Sequence, residues 1–236
     1  MEKQIAEGLA ALGIPLPSPE APAQLAEYGR LLIEKNQVMN LTAITEPSQV
    51  AALHFLDSAA LLGATDFRNK RVIDVGTGGG FPGLPLRLLE PSMRLTLLDS
   101  LGKRVDWLSE LCCALRAEGV ACIHARAEEQ ALVPGFRDSF DIATSRAVAD
   151  LRLLCELCLP YVAVGGKFLA MKSVDSDAEV EGARNAIGML GGRLLAPYDY
   201  AIPGTEIRHR VVVIEKIAHT PKALPRRWAK IKTAPL

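Results

Sequence analysis

The chain has 236 residues, 49% of them apolar and 23% charged, enough to bury one large core or two small ones, so a disordered chain is excluded. Lys+Arg and Asp+Glu each number 27, and a net charge of +0 by itself argues for neither a nucleic-acid nor an anionic-membrane partner. The charge is nevertheless unevenly placed: from Arg208 to Leu236 eight basic residues face the single acid Glu215, so a basic tail follows an acidic body.

The opening MEKQIAEGLA has an acid at position 2 and no apolar run, and no uncharged stretch reaches the ~18 residues of a membrane span, which predicts a cytoplasmic protein. Five cysteines, with Cys112 and Cys113 adjacent, fit a reducing compartment better than a disulfide framework. Residues 1–66 show only helical spacing, in Ile5, Leu9 and Leu12, in Leu25, Tyr28 and Leu32, and in Val50, Leu53 and Leu61. Pro15, Pro17, Pro19 and Pro22 stiffen the link between the first two helices. From Arg71 short apolar runs alternate with helical ones. Strands are predicted at Val72 to Val75, Leu95 to Asp99, Val120 to His124, Phe140 to Thr144, Lys167 to Met171, Arg193 to Ala201 and Arg210 to Ile217. The pattern predicts an α/β, Rossmann-like domain over residues 67–218, a mainly parallel seven-stranded sheet with an antiparallel edge. A helical extension at 1–66 precedes it and a basic tail at 219–236 follows.

The segment Arg71-Val-Ile-Asp74-Val-Gly76-Thr-Gly78-Gly79-Gly80-Phe81-Pro82-Gly83 places a strand, a terminal acid, a glycine turn and a helix start in succession. Asp74, Gly76, Gly78 and Gly80 fit the D-x-G-x-G-x-G motif of S-adenosylmethionine (SAM) methyltransferases, in which the acid serves the amino-acid end of the ligand. Gly78, Gly80 and Gly83 equally fit the G-x-G-x-x-G of dinucleotide proteins, and a structural turn stays open. Asp99, 23 positions after Gly76, is placed to accept both ribose hydroxyls of either nucleoside, or to cap the next helix. Ala127 and Glu128 follow the third strand, where the fold closes over an adenine, although a first-turn Glu also complements a helix dipole. Arg146 falls at the carboxyl edge of the fourth strand. Cys155-x-x-Cys158 lies in an apolar helical pattern without a second ligand pair, so buried cysteines are expected and no metal site. His54 reads as a satisfied structural histidine.

Several ordered motifs extend the match: Asn40-Leu41-Thr42, His54-Phe55-Leu56-Asp57-Ser58, the Asp74 to Pro85 loop, Leu97-Leu98-Asp99-Ser100, Arg126-Ala127-Glu128-Glu129, Ser145-Arg146-Ala147 and Ala170-Met171-Lys172. Together they resemble the RsmG (formerly GidB) family of bacterial small-subunit rRNA methyltransferases. The resemblance implies a class I SAM-dependent methyltransferase fold and methyl transfer from SAM to N7 of a guanine in the decoding-centre loop of 16S rRNA. It implies cofactor contacts at Gly76, Phe81, Ala127, Glu128 and Arg146. Ser173 stands where the family usually has Gly.

Guanine N7 has a lone pair and no proton, so no general base is required, and the chain carries neither an Asn/Asp-Pro-Pro-aromatic nor a Pro-Cys motif. Substrate-side candidates are Lys172 and Arg146, with Arg208 and Arg210. In the tail, Arg226 and Arg227 interleave with Pro221, Pro225 and Trp228, which predicts an extended RNA-following segment whose removal leaves SAM affinity intact. A solvated tail, or one folded on the acidic body, is the alternative. The expected partner is 16S rRNA or the small subunit, with the enzyme a monomer. A nicotinamide reductase lacks its Tyr-x-x-x-Lys here, and a non-catalytic RNA-binding protein is the other competing class.

Overall fold

The computed structural model describes residues 1–146 and 149–236; Ala147, of the Ser145-Arg146-Ala147 motif, and Val148 lie outside the described residues. Ile5 and Leu9 of α1 (Glu2–Ala11) and Leu25, Tyr28 and Leu32 of α2 (Ala21–Met39) are buried on one stripe each, as three- and four-residue spacing requires. After α2, the Asn36 side chain accepts the backbone N–H groups of Leu41 and Thr42 at 2.6 and 2.9 Å and donates to the Thr42 carbonyl at 2.9 Å. The Asn40-Leu41-Thr42 motif is thus a pinned turn. Next, α3 (Pro47–Val50) runs into a π-helical turn (Ala51–Leu56), α4 (Asp57–Ala59) and a 3-10 turn (Ala60–Gly63). His54 lies in the π-helical turn, a widening frequent at functional sites.

Five parallel strands follow: β1 (Arg71–Val75), β2 (Arg94–Asp99), β3 (Val120–His124), β4 (Phe140–Arg146) and β5 (Val162–Ser173). Between them run α5 (Gly83–Leu89), α6 (Gly102–Ala114), α7 (Ala127–Gln130) and α8 (Leu151–Cys158), and α9 (Asp177–Met189) leads to the antiparallel edge. The sheet has eight strands, not the expected seven, in the order β3-β2-β1-β4-β5-β8-β6, with β7 also on β8. The strand expected at Arg193 to Ala201 is broken into β6 (Gly192–Leu194) and β7 (Tyr198–Ala201), both antiparallel to β8 (Arg208–Lys216). Pro197 has no N–H to continue the ladder through the gap.

Strand side chains alternate between two cores. Val72, Leu97, Val211 and Val213 face one core, shared with Ile5, Leu25, Tyr28 and Phe55 of the extension; Ile73, Leu98, Val212 and Ile214 face the other, under α8 and α9. The extension is therefore built into one face of the sheet. Cys155 and Cys158 are buried on α8 in the second core, as the sequence pattern implies.

The tail is folded on the body, not extended as its composition predicts. Residues 219–236 pack back on the body through α10 (Trp228–Thr233), with Leu224 and Ile231 buried. Arg226 makes a bidentate pair with Glu156, at 2.8 Å from Nε and 2.6 Å from Nη2, and Arg137 donates to the carbonyls of Thr220, Pro221 and Leu224 at 2.7 to 3.1 Å. The wholly buried Glu156 supplies the counter-charge that residue composition cannot reveal. No helix among the described residues is long and apolar enough to cross a membrane.

Candidate functional site

The glycine loop joins β1 to α5 at the carboxyl edge where chain order reverses, β1 lying between β2 and β4, the place where open α/β sheets bind ligands. Asp74 is 0% exposed and works inside the loop: Oδ2 accepts from Thr77 Oγ1 at 2.6 Å and Gly83 N at 3.0 Å, and Oδ1 faces Thr144 Oγ1 at 3.3 Å. Burial raises its pKa to about 6 against the pull of those donors. Gly78 adopts φ +57 and a Cβ there would meet nothing within 4 Å, so the space beside it is open. Gly80, at φ +96, makes room for Tyr28, whose hydroxyl donates to the Gly79 carbonyl.

On one side of the loop a cavity of about 230 Å³ is lined by Gly76, Asp99, Ala127, Glu128, Leu157 and Trp228, among others. Asp99 Oδ2 accepts from Gly78 N and Oδ1 from Leu101 N, each at 2.9 Å, so this acid ties the β2 turn to the glycine loop. Arg104 stands 3.7 Å from it. The Ala127 carbonyl accepts from the Tyr161 hydroxyl at 2.6 Å, and Glu128, 5% exposed, accepts from Arg126 Nε at 3.2 Å. The Arg126 guanidinium also sits 5.0 Å from the centre of the Trp228 ring.

On the other side a cavity of about 450 Å³ is lined by His54, Asp57, Arg146, Lys172, Ile207 and His209, among others. Arg146 donates to the Leu53 carbonyl at 2.9 Å, His54 Nδ1 at 2.8 Å and Asp57 Oδ2 at 3.3 Å, and its guanidinium lies 4.9 Å from the Phe81 ring centre. An arginine can only donate, so His54 Nδ1 accepts and Nε2–H donates to Thr42 Oγ1 at 2.8 Å. Burial, with help from Arg146, pushes the His54 pKa down to about 3, so the ring is neutral and held at both nitrogens. Asp57 Oδ1 also accepts from Tyr200 Oη at 2.7 Å and His209 Nδ1 at 2.8 Å, and its hydrogen bond raises the His209 pKa. Phe81 stacks between Tyr28 and His54, at centroid distances of 5.1 and 4.5 Å. One network therefore links the extension, the glycine loop, β4 and β8.

The structure brings Gly76, Asp99, Ala127 and Glu128 together around the first cavity. Asp74 and Phe81 lie beneath the loop, and Arg146 borders the second cavity instead of the first. Among the RNA candidates, Arg208 and Arg227 are exposed. Lys172 is bonded to Glu179 and the Ala149 carbonyl, Arg210 bridges Asp199 and Asp177, and Arg226 is held by Glu156. Sequence reasoning places none of Trp228, Asp57 and His209 at either cavity; each arrives through contacts between distant segments. No group of three or more His, Cys, Asp or Glu that could hold a metal occurs among the described residues.

Comparison with known proteins places the chain. The family model described as GidB, rRNA small subunit methyltransferase G, matches residues 21–199. The chain is 45% identical over 210 residues to ribosomal RNA small subunit methyltransferase G of Clostridium perfringens (strain SM101 / Type A), covering 89% of this chain and 88% of the relative. It is 42% identical over 236 residues to the protein of the same name from an Exiguobacterium species, covering 100% and 99%. Among solved structures, a SAM-dependent methyltransferase from Aquifex aeolicus superposes with a TM-score of 0.54 at 17% identity, over 74% of this chain and 96% of that one. The last likeness is one of fold alone, and it is that of a class I methyltransferase. With the family model covering most of the chain and relatives matching nearly all of it, the chain belongs to the GidB family, rRNA small subunit methyltransferase G.

Proposed function

We propose that the chain transfers the methyl group of S-adenosylmethionine to N7 of a guanine in the decoding-centre loop of 16S rRNA. Membership of the GidB family supports SAM-dependent methylation of small-subunit rRNA. The observation that supports the finer reading is a second cavity, lined by Arg146, Lys172 and His209 and tied to the glycine loop by the Arg146–Phe81 contact, in addition to the one lined by Gly76 and Asp99.

In this reading SAM occupies the first cavity and supplies an electrophilic sulfonium methyl. The residues there fit it: Gly76 and Gly78 leave backbone exposed, Asp99 accepts the ribose hydroxyls, and Ala127 and Glu128 border the base. Asp74 and Phe81 hold the loop in shape from below. The guanine enters the second cavity. Methyl transfer would form the N7–C bond from the guanine lone pair as the donor's S–C bond breaks, leaving the electron pair on sulfur and the positive charge on the purine. No proton has to be removed, so the protein's work is alignment, worth up to ~7–11 kcal/mol. Arg146 is the positioning residue at the junction, holding Phe81 on one side and His54 and Asp57 on the other. Arg208 and Arg227 supply exposed charge for phosphates. A cytoplasmic monomer acting on the small subunit belongs to the same proposal.

The test is incubation of isolated small and large ribosomal subunits with methyl-labelled SAM. Label should enter small-subunit RNA, and Asp99→Asn should reduce both SAM affinity and incorporation. Incorporation confined to large-subunit RNA or to protein would overturn the reading.

A further inference from the structure

We propose that Trp228, carried by the C-terminal tail, is a cofactor-binding residue whose indole packs against the adenine of SAM, so that the tail forms one wall of the cofactor site. The inference rests on the assignment of SAM to the cavity beside Asp99. The matched family model ends at residue 199, so the tail lies outside it.

Three elements line the cavity together with Asp99: the Arg126–Glu128 turn after β3, Leu157 on α8, and Trp228 at the start of α10. Sheet order gives the cavity a direction. The glycine loop follows β1, the acid ends β2, and β3 is the next strand outward, so a nucleoside with its ribose on Asp99 extends its base toward Ala127 and Trp228. Arg126 fixes two walls at once, with Nε on Glu128 and its guanidinium against the Trp228 ring.

The tail is held by anchors that bear directly on this wall. Glu156 adjoins Leu157 in sequence, and it accepts Arg226 N, Nε and Nη2 at 2.8, 2.8 and 2.6 Å, two residues before Trp228. The Glu156 side chain is 1% exposed and that of Arg226 16%, so this is an interior pair and not a surface one. Arg226 Nη1 also reaches the Ala234 carbonyl at 2.9 Å, closing the tail on itself, while Ile231 seats α10 in the second core. An aromatic ring on a latched segment at the base end of a nucleoside cavity offers a large apolar contact with little rotamer entropy left to lose. Tail removal should therefore lower SAM affinity, the opposite of the outcome expected for an extended tail.

The test is calorimetric titration of the full chain with SAM and with adenosine. Trp228→Ala should weaken both at least tenfold and Trp228→Phe less than threefold, with Asp99→Asn weak in parallel. A second measurement uses Trp107→Phe, which leaves Trp228 the sole tryptophan: its emission should change on SAM addition, with a midpoint matching the calorimetric Kd. Wild-type affinity in Trp228→Ala alongside a weak Asp99→Asn overturns the role of Trp228 and leaves the cavity assignment standing. Wild-type affinity in both variants overturns the cavity assignment and the proposal together. Trp228 emission indifferent to saturating SAM overturns the proposal whatever the stability of the alanine variant.

Discussion

Asp57→Asn tests the network that joins the extension to the sheet. Asp57 is buried and accepts from Tyr200 Oη, His209 Nδ1 and Arg146 Nη1. An asparagine keeps one carbonyl oxygen for Tyr200 but presents no anion to Arg146, whose side chain is 15% exposed. Removing one member of a buried ion pair costs about 3–5 kcal/mol. Arg146 retains the Leu53 carbonyl and His54 Nδ1, which places the expected loss at the lower end, about 3 kcal/mol. At roughly 2–4 °C per kcal/mol for a chain of this size, Tm should fall by about 6–12 °C. The loss should also depend on pH. Asp57 raises the His209 pKa, so the stabilisation from that bond is fully present below the ordinary histidine value and disappears as pH rises through the raised one. His54 is neutral across this window, so it does not reverse the sign. Differential calorimetry and denaturant unfolding at several pH values should find the Asp57→Asn penalty largest in mild acid and smaller in mild alkali. An NMR titration should show His209 above its ordinary pKa in the wild type and lower in the variant. A Tm within 2 °C of wild type, with His209 titrating identically in both proteins, would refute the reasoning.

Gly78→Val should abolish SAM binding in calorimetry and cost about 1–3 kcal/mol of stability, because a β-branched side chain is strained at φ +57 and projects into space that no protein atom fills; normal binding would make the loop a structural turn only. Gly80→Ala should destabilise by about 1–3 kcal/mol through backbone strain and collision with Tyr28; Tyr28→Phe should cost less in that background than alone, and strict additivity in denaturant unfolding would remove the collision. Arg226→Ala strips buried Glu156 of its cation, so trypsin should cut at Arg227 and Lys230 much faster than in the wild type while the core resists; unchanged cleavage kinetics would show that this pair does not latch the tail.

The parallel half of the sheet was readable because its signals are local: period-two apolar runs, a glycine turn, and acids at two successive strand ends. Gly76, Asp99, Ala127 and Glu128 lie in such segments, and the structure gathers them at one cavity. Asp74 belongs to the same motif, yet whether a strand-end acid faces a ligand or the loop beneath it depends on Thr77, Gly83 and Thr144 folding around it. Phe81 is turned inward for a similar reason, by Tyr28 from α2 and His54 from the π-helical turn. Basic, proline-rich composition favours an extended tail over the folded alternative, whereas the fold is set by Glu156, seventy positions earlier. His209 meets Asp57 across 152 positions, and nothing in either neighbourhood announces the other. The broken edge strand is an intermediate case, since Pro197 was visible but its effect depends on the β8 ladder.

The most direct test of the central claim is to map the methyl group that the purified enzyme adds to small-subunit RNA. Reduction and aniline cleavage, which cut RNA at N7-methylguanosine, should yield a single enzyme-dependent break at one guanine of the decoding-centre loop, lost with Asp99→Asn. Methylation of a base nitrogen other than N7, of a ribose hydroxyl, or of a guanine outside that loop would contradict it.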